Sequence, residues 1–492
     1  MIRTFLKNST LYFISNGINK VIGLAFFAYI ARLLTIEEMG RYGLLQIAML
    51  FLSTFMTLEI QSGFTRYFFD TDQEQRRRYE FSLVNALLIS NLVMGMVLFL
   101  AKPLFERALI EVSVALYVVL LLIPSSSGIL KISVAKMRMQ NQAVLVAGLN
   151  VAQLLVYVGV TLLLLNRGTD RVLAIYCGLL AQNVFMVICY FVNLRGWKPI
   201  MEFSLIKRSL SFSAYLAPSV LGAYVSLQIG KYLVSRIMNI ESVGIYEATN
   251  RVAIIILTIM LPLYQATVPI IYEQYRQENF PQRYRLLVGI HMALLLGVVI
   301  GFGLGGREAV ALVVGDKYVE FAYLVGPLAM VSVLGHITHF SGPLIHLAQK
   351  TQYVALIEIV SGVLSVGVTF ALVSYQEFSG AIAAVVINST VRYLLYLHIG
   401  NWLFPSLRVN VHGMYGYILA CAGLLSIHHC LCDIHIAWRI GIGVAELALM
   451  VVIFTKHFGI TREQLRNMLR RSPRPAPAKS APAPSVSPPP AE

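Results

Sequence analysis

The run Ser9-Thr-Leu-Tyr-Phe-Ile-Ser-Asn-Gly-Ile-Asn-Lys20-Val-Ile-Gly-Leu-Ala-Phe-Phe-Ala-Tyr-Ile-Ala-Arg-Leu33 carries one cation at its centre, Lys20. A membrane span needs about 20 apolar residues, so this run is long enough to cross a bilayer. A cation at the bilayer centre costs about 2.5–3.5 kcal/mol on insertion scales and is seldom kept without a function. Later apolar runs contain three more cations, Lys231, Arg251 and Arg392. Together they predict a wet cavity that holds an anion.

The composition places the chain among multi-pass membrane proteins. Apolar residues make up 57% of it and charged residues 13%, whereas soluble chains carry about 25% charged residues. The net charge of +15 fits basic loops that orient a membrane protein better than a nucleic-acid surface. Five cysteines are too few and too scattered for a disulfide framework.

Continuous apolar runs recur along the chain and exclude a strand-based barrel, whose segments alternate. We therefore predict an all-α protein with about fourteen spans. The predicted spans are 9–33, 42–64, 82–101, 112–130, 143–165, 172–194, 213–236, 245–271, 286–306, 321–347, 353–375, 378–400, 414–431 and 436–457.

Basic residues concentrate in alternate loops, which predicts the orientation. The richer set includes the clusters at 76–78, 131–138 and 276–285, and the opposite set includes Arg41, Arg107, Arg167 and Lys317. Because cytoplasmic loops carry the excess of Lys and Arg, we expect both termini in the cytoplasm. An even number of spans agrees with this orientation.

The chain repeats a short motif at the turn after the first span of each half. Residues 32–42, RLLTIEEMGRY, match residues 236–246, RIMNIESVGIY, at 5 of 11 positions. The shift is 204 residues, and six predicted spans separate the copies, so the halves have the same orientation. We expect two parallel six-helix lobes, 1–200 and 201–404, as in transporters that rock one half against the other. Two additional spans, 405–457, follow them.

The last residues change character. Thr461-Arg-Glu-Gln464 resembles a capping box, and residues 458–471 are predicted to form a basic amphipathic helix on the inner leaflet. Residues 472–492 are Pro, Ala and Ser with little apolar content. We expect this tail to be disordered, because it cannot bury a core.

Polar residues form stripes on spans that are equivalent in the two halves. Helical spacing places Asn16, Asn19 and Lys20 on or beside one face of the first span, and Gln228 and Lys231 on one face of the seventh. The second and eighth spans contribute polar residues in the same way. The predicted cavity is therefore lined by the cations Lys20, Lys231, Arg251 and Arg392 and by the polar residues Asn16, Asn19, Gln46, Gln228 and Asn250.

Structural roles compete with this interpretation for some of these residues. Glu247 and Arg251 are four residues apart and are able to pair on one helix. Arg251 and Lys231 lie toward the outer ends of their spans, where long side chains reach the interface. Arg392 is able to act as a clamp within its own span. The residue types near His428 suit a soft divalent metal, but the Cys430-Leu-Cys432 spacing is short for structural zinc, so we expect no metal and no cofactor.

The turn Ala31-Arg-Leu-Leu-Thr-Ile-Glu-Glu-Met-Gly40-Arg-Tyr42, together with Ser62-Gly-Phe-Thr-Arg66-Tyr67 and Val243-Gly244-Ile-Tyr246, resembles the oligosaccharide flippases of bacterial polysaccharide assembly. These are the Wzx-type proteins of the multidrug/oligosaccharidyl-lipid/polysaccharide superfamily. The resemblance covers about residues 1–400. The family usually carries an acidic residue beside a basic one late in the seventh span, where this chain has Gly230-Lys231.

The resemblance implies a non-enzymatic flippase of the bacterial inner membrane. It would move an undecaprenyl-pyrophosphate-linked oligosaccharide to the periplasmic leaflet, for O-antigen, capsule or exopolysaccharide assembly, by alternating access in a V-shaped, MATE-like fold. Expected partners are the lipid-linked oligosaccharide and membrane lipids, with a polysaccharide polymerase and a chain-length regulator as candidates and no nucleic acid. A MATE-type multidrug or cation antiporter and a lipid II flippase stay open as alternatives. A membrane-embedded polymerase or ligase is disfavoured, because no long outward loop is predicted.

The orientation is testable with reporter fusions. A reporter that is active only in the cytoplasm should give signal when fused after residue 75 and after residue 460, because both positions belong to the basic set of loops. A fusion after residue 167 is the matched negative control. A silent reporter at residue 75 or 460, with the fusion protein present in the membrane, would contradict the predicted orientation.

Overall fold

The protein is built entirely from helices within the part that its computed structural model describes, residues 2–457 except 69–72, 141, 194–197, 276, 279, 349, 409–410 and 431–433. Two 3₁₀ helices, Asp316–Leu324 and Pro405–Leu407, connect longer elements. The fifteen α-helices of this part are α1 Ile2–Leu33, α2 Ile36–Thr57, α3 Ile60–Tyr67, α4 Gln73–Leu100, α5 Lys102–Ala108, α6 Val114–Met139, α7 Ala143–Asn166, α8 Arg171–Asn193, α9 Phe203–Ile237, α10 Ile240–Gln274, α11 Phe280–Val313, α12 Val325–Leu347, α13 Thr351–Leu403, α14 Val411–Cys430 and α15 Ile436–His457.

Many of these helices are membrane spans by length and composition. Eight helical segments in the described ranges are long and apolar enough to cross a bilayer, and the pair α2 and α3, bent by 52°, is a ninth candidate. One of the eight, in α13, is interrupted at Glu377, where φ is 50° and ψ is −125°. Its arms, 351–376 and 378–403, are each long enough for one span. All fourteen predicted segments fall on helices, so the predicted number is consistent with the structure.

The two halves have matching helices, which confirms two parallel six-helix repeats. At the shift of 204 residues, α1 corresponds to α9, the pair α2 and α3 to α10, and the pair α4 and α5 to α11. Likewise α6 corresponds to residues 316–347, and α7 and α8 correspond to the two arms of α13. We call α1–α8 lobe 1 and α9–α13 lobe 2. The additional helices α14 and α15 pack against α11 of lobe 2.

The repeated turn motif has the same structural role in both lobes, because it starts the second span. Thr35 caps α2 through its hydroxyl and forms a capping box with Glu38. Asn239 caps α10, and its side-chain oxygen accepts a hydrogen bond from the Ser242 amide at 2.8 Å. These side chains satisfy amide groups that a helix start leaves unpaired.

Glycines let the two capped helices, α2 and α10, touch across the lobe boundary. A Cβ atom at Gly40 would collide with the carbonyl oxygen of Ile240, and one at Gly244 would collide with that of Ile36. The contact is reciprocal, because Ile36 corresponds to Ile240, and Gly40 to Gly244, at the repeat shift of 204 residues. Gly43, one turn further along α2, faces Glu247, whose Cβ would lie 3.2 Å from an added Cβ. The lobes therefore join backbone to backbone at the predicted outer end.

The second span of lobe 1 is broken near its other end. Leu58 and Glu59 adopt left-handed φ values of 44° and 53° between α2 and α3. The break is held by Ser213 of α9, whose hydroxyl donates to the Glu59 carbonyl at 2.9 Å. Lys131 of α6 pairs with the Glu59 carboxylate at 3.3 Å. Contacts from both lobes thus stabilise this bend.

The limits of the lobes, 1–200 and 201–404, and of the additional pair, 405–457, stay predictions. The amphipathic helix of residues 458–471 and the tail of residues 472–492 lie outside the described residues.

The α2–α10 contact predicts a contrast between glycines. Gly40→Ala or Gly244→Ala should lower the apparent melting temperature of the purified protein, because overpacking a tight contact costs about 1–3 kcal/mol. Gly148→Ala is the matched control, because its Cβ would meet no atom within 4 Å on helix α7. That control should be neutral or slightly stabilising. Equal melting temperatures for the three variants would show that the close approach is absent in solution.

Candidate functional site

Two of the predicted cavity cations share one buried carboxylate, that of Glu247. Lys231 Nζ lies 2.5 Å from Glu247 Oε2, and Arg251 Nε lies 2.6 Å from Oε1. Glu247 is 1% exposed and Lys231 is 4% exposed. The three groups carry a net charge of +1, so this site keeps an excess of positive charge inside the membrane-spanning region.

Local helix geometry explains why these three residues meet. Glu247 and Arg251 are four residues apart on α10, so both lie on one face of that helix. Lys231 comes from α9, which runs antiparallel to α10 after a tight turn at Met238 and Asn239. The pairing of Glu247 with Arg251 was one of the alternatives open from sequence, and the structure confirms it. The carboxylate that accompanies Lys231 is supplied by the following helix.

Arg251 extends from lobe 2 into lobe 1. Its guanidinium carbon lies 5.4 Å from the centre of the Phe27 ring and 5.7 Å from that of the Tyr42 ring. Its Nη2 atom lies 3.5 Å from the Tyr42 hydroxyl. Aromatic faces attract a guanidinium electrostatically. The aromatic side chains beside Arg251 therefore come from α1 and α2 of lobe 1, the helices that correspond to α9 and α10.

A cavity of about 450 Å³ opens beside Arg251. This volume falls within the range of about 300–1,000 Å³ that is usual for ligand sites. Most of the wall belongs to lobe 1, and the predicted site residue Gln46 is part of it. The lining residues are Gly23, Phe26, Phe27, Ile30, Tyr42, Gln46, Met49, Leu50, Ser53, Ile123, Tyr157, Ile175, Leu179, Gln182 and Arg251.

Lys20 is the exposed cation of this region. It makes no hydrogen bond or ion pair with any residue that the structure describes, and its side chain is exposed. Gly23 and Phe27 follow it by three and seven residues, which places all three on one face of α1. Because Gly23 and Phe27 line the cavity, Lys20 extends the same face. The axial distance from residue 20 to residue 27 is about 10 Å at 1.5 Å per residue.

The predicted polar residues differ in how the structure places them. Asn19 and Gln228 each have a buried side-chain oxygen with no hydrogen-bond partner among the described groups. Such an oxygen is costly unless water or a ligand satisfies it. Asn250 is half-buried on α10. The side chain of Asn16 lies outside the part that the structure describes.

Arg392 belongs to a separate cluster in lobe 2. Its Nη2 and Nε atoms lie 2.6 and 3.1 Å from Glu358 Oε1, and the Tyr396 hydroxyl donates to the same oxygen at 2.8 Å. This arrangement joins the two arms of α13. A clamp role for Arg392 was considered from sequence, and the structure gives it a partner on the neighbouring arm. Arg392 does not line the cavity that holds Arg251.

Sequence reasoning missed the residues that organise the cations. Glu247 was recognised as a possible partner of Arg251, but its contact with Lys231 from the preceding helix was not predicted, and neither was the contact of Glu358 with Arg392. Tyr42 was noted only as part of the repeated motif, although it stands beside Arg251. Its repeat counterpart, Tyr246, has its ring 5.9 Å from Lys231 Nζ. The repetition of a tyrosine at 42 and 246 was the available signal for a cation-facing aromatic pair.

The fold is similar to that of solved membrane transporters and flippases. A lipid II flippase, MurJ, in an inward closed conformation, is similar with a TM-score of 0.68 over 91% of this chain and 99% of its own, at 12% identity. An inward-facing multidrug resistance MATE family transporter of the MOP superfamily is similar with a TM-score of 0.65 over 81% of this chain and 98% of its own, at 13% identity. A MOP superfamily transporter from Pyrococcus furiosus is similar with a TM-score of 0.58 over 83% of this chain and 96% of its own, at 14% identity. It is described as having a binding pocket of reverse polarity. The protein therefore shares the all-helical fold of these three proteins.

The sequence also matches a family. The family of polysaccharide biosynthesis proteins matches residues 5–274, which is more than half of the chain. The chain belongs to this family of membrane proteins, as its resemblance to the Wzx-type flippases indicated. Among curated protein sequences, none matches the chain.

The shared carboxylate predicts a specific loss of stability. Glu247→Ala should lower the apparent melting temperature strongly, because removing one partner of a buried ion pair costs about 3–5 kcal/mol. Glu241→Ala is the matched control, an exposed glutamate in the first turn of the same helix. Its loss should cost about 0.3–1 kcal/mol, the usual value for an acidic residue there. Similar melting temperatures for the two variants would contradict the buried cluster.

Proposed function

We propose that the protein is a flippase that moves an undecaprenyl-pyrophosphate-linked oligosaccharide from the cytoplasmic to the periplasmic leaflet of the bacterial inner membrane. The observation that carries this proposal is the cavity beside Arg251, where two cations share one carboxylate and Lys20 extends the same wall without a partner among the described residues. Family membership supports a role in polysaccharide assembly.

The chemistry of a pyrophosphate fits this arrangement. Its dense negative charge has to leave the headgroup region in order to cross, and fixed cations in a region of low dielectric replace the lost solvation. A guanidinium is able to donate two parallel hydrogen bonds to phosphate oxygens, whereas an ammonium acts as a point charge. In this proposal Arg251 orients the group, Lys20 adds charge toward the predicted cytoplasmic side, and Lys231 with Glu247 fixes Arg251.

The charges in the structure argue against a drug-cation antiporter. A cationic drug favours a carboxylate that is free in the membrane, and three acids that lie within predicted spans are each beside a basic group. Glu59 pairs with Lys131, Glu358 with Arg392, and Glu446 lies 2.9 Å from His428. Glu247 is likewise engaged by two cations. The excess charge of the cavity is positive, which suits an anion.

A lipid II flippase would use the same pyrophosphate anchor, so the cation cluster alone does not separate it from our proposal. The match to the polysaccharide biosynthesis family favours an oligosaccharide cargo. In our proposal the two lobes alternate access around the cavity, both termini lie in the cytoplasm, and a polymerase and a chain-length regulator act on the product. The lobe limits at residues 200 and 404 belong to the same proposal.

The central test removes single cations. Lys20→Ala and Arg251→Ala should each reduce surface polysaccharide by roughly tenfold or more, because a charge-assisted hydrogen bond contributes about 1.5–3 kcal/mol. Lys20→Arg should be milder, since the charge is kept. The measurement is surface polysaccharide per unit of membrane-inserted protein in a strain that lacks the native gene.

Lys207→Ala is the matched control for charge, because Lys207 is exposed near the start of α9 and lines no part of the cavity. It should export normally. If Lys20→Ala and Arg251→Ala also export normally at native abundance, the anionic-cavity mechanism is wrong. Restored growth of a strain depleted of its lipid II flippase, without restored polysaccharide, would instead assign the alternative cargo.

A further inference from the structure

Arg32, at the end of α1, crosses from lobe 1 to lobe 2 at the predicted outer face. Its Nη2 atom donates to the Leu312 carbonyl at 2.7 Å and lies 3.4 Å from that of Ala311. Gly315 supports this position, because its φ of +99° lets the chain turn directly beside the Arg32 side chain. Lys317 of lobe 2 returns a contact by donating to the Leu34 carbonyl.

Arg236 makes the reciprocal contact from lobe 2 to lobe 1. It ends α9 as Arg32 ends α1, and its Nη2 atom donates to the Arg107 carbonyl at 2.8 Å. The donors Arg32 and Arg236 are separated by 204 residues. The repeat position of the acceptor Arg107 is Ala311, whose carbonyl lies 3.4 Å from Arg32 Nη2 and one residue before the nearer acceptor, Leu312. The donors therefore match the internal repeat, and the acceptors match it to within one residue.

The acceptors explain why an arginine is suited to each contact. Leu312 lies in the last turn of α11, which ends at Val313, and Arg107 lies in the last turn of α5, which ends at Ala108. The last four carbonyl groups of a helix have no partner within that helix. A cation that donates to them also interacts favourably with the negative end of the helix. Each arginine thus caps a helix of the opposite lobe.

We propose that Arg32 and Arg236 form a two-point latch that holds the predicted outer face closed, and that both contacts break when the lobes separate there. The latch flanks the contact between α2 and α10 at Gly40 and Gly244. Both arginine side chains are exposed, so water replaces their hydrogen bonds at modest cost. The latch is therefore able to bias the closed state and still open in every transport cycle.

The test measures how often the outer face opens and does not depend on the transported substrate. Ser242 is 8% exposed and lies in the first turn of α10, beside the interlobe contact. Ser242→Cys is introduced after the five native cysteines are replaced by alanine. The rate of its reaction with a membrane-impermeant maleimide, added from outside to spheroplasts, then reports opening.

The latch predicts matched and additive effects of its two arginines. Labelling should accelerate roughly threefold in Arg32→Ala and in Arg236→Ala, and roughly tenfold in the double variant, because effects at sites without a shared partner add in free energy. Arg167→Ala is the control, an exposed cation on the same predicted face that makes no side-chain hydrogen bond or ion pair to the other lobe within the described residues. Its labelling rate should equal that of the parent.

Unchanged labelling in the double variant would overturn the latch, and so would acceleration by only one of the two arginines. A second pair, Arg32→Gln and Arg236→Gln, keeps a hydrogen-bond donor in case the alanine variants reach the membrane in low amounts. Its labelling rate should fall between those of the parent and the double alanine variant. A rate equal to that of the parent would also contradict the proposal. The test of the latch depends on the labelling rate alone, whether or not the variants export polysaccharide.

Discussion

The close contact between α2 and α10 is the constraint on which the rest of the structure depends. Gly40 and Gly244 let two helices from different lobes meet at their backbones, and Gly43 lets α2 approach Glu247. A Cβ atom at Gly40 or Gly244 would lie 2.0 Å from a backbone oxygen of the facing helix, so a larger residue there requires the two backbones to shift. Because the contact lies at the start of both helices, it joins the lobes at the predicted outer end, while Ser213 of α9 contacts Glu59 of lobe 1 near the other end.

The same contact creates the charged site. It brings Tyr42 of lobe 1 beside Arg251 of lobe 2, and the carboxylate of Glu247 fixes Arg251 and Lys231 at 2.6 and 2.5 Å. The buried Lys231 and the half-buried Arg251 would be costly without an anion, and a fully neutral cluster would not attract a pyrophosphate. One carboxylate for two cations is a compromise that keeps the site folded and positive. A separation of the lobes at this end would therefore change the surroundings of Arg251 as well as the access to it.

Much of this architecture was predictable because it depends on local sequence. Apolar runs gave the helices, and the repeated turn at 32–42 and 236–246 indicated two equivalent lobes. The pairs between elements were not predictable, since spacing along one helix says nothing about neighbours from another. Glu358 with Arg392 and Arg236 with the Arg107 carbonyl are examples. The break at Leu58 and Glu59 was also missed, because neither residue is one that favours positive φ.

The proposed recognition of a pyrophosphate by the cavity is tested most directly by the affinity of the purified protein, in lipid nanodiscs, for undecaprenyl pyrophosphate compared with undecaprenol, which has the same chain and no phosphate. The pyrophosphate should bind more tightly, by roughly tenfold or more, because charged hydrogen bonds contribute to binding. Lys20→Ala combined with Arg251→Ala should remove this difference while the affinity for undecaprenol stays the same. Equal affinities for the two lipids in the unmodified protein would contradict a cavity that recognises the pyrophosphate.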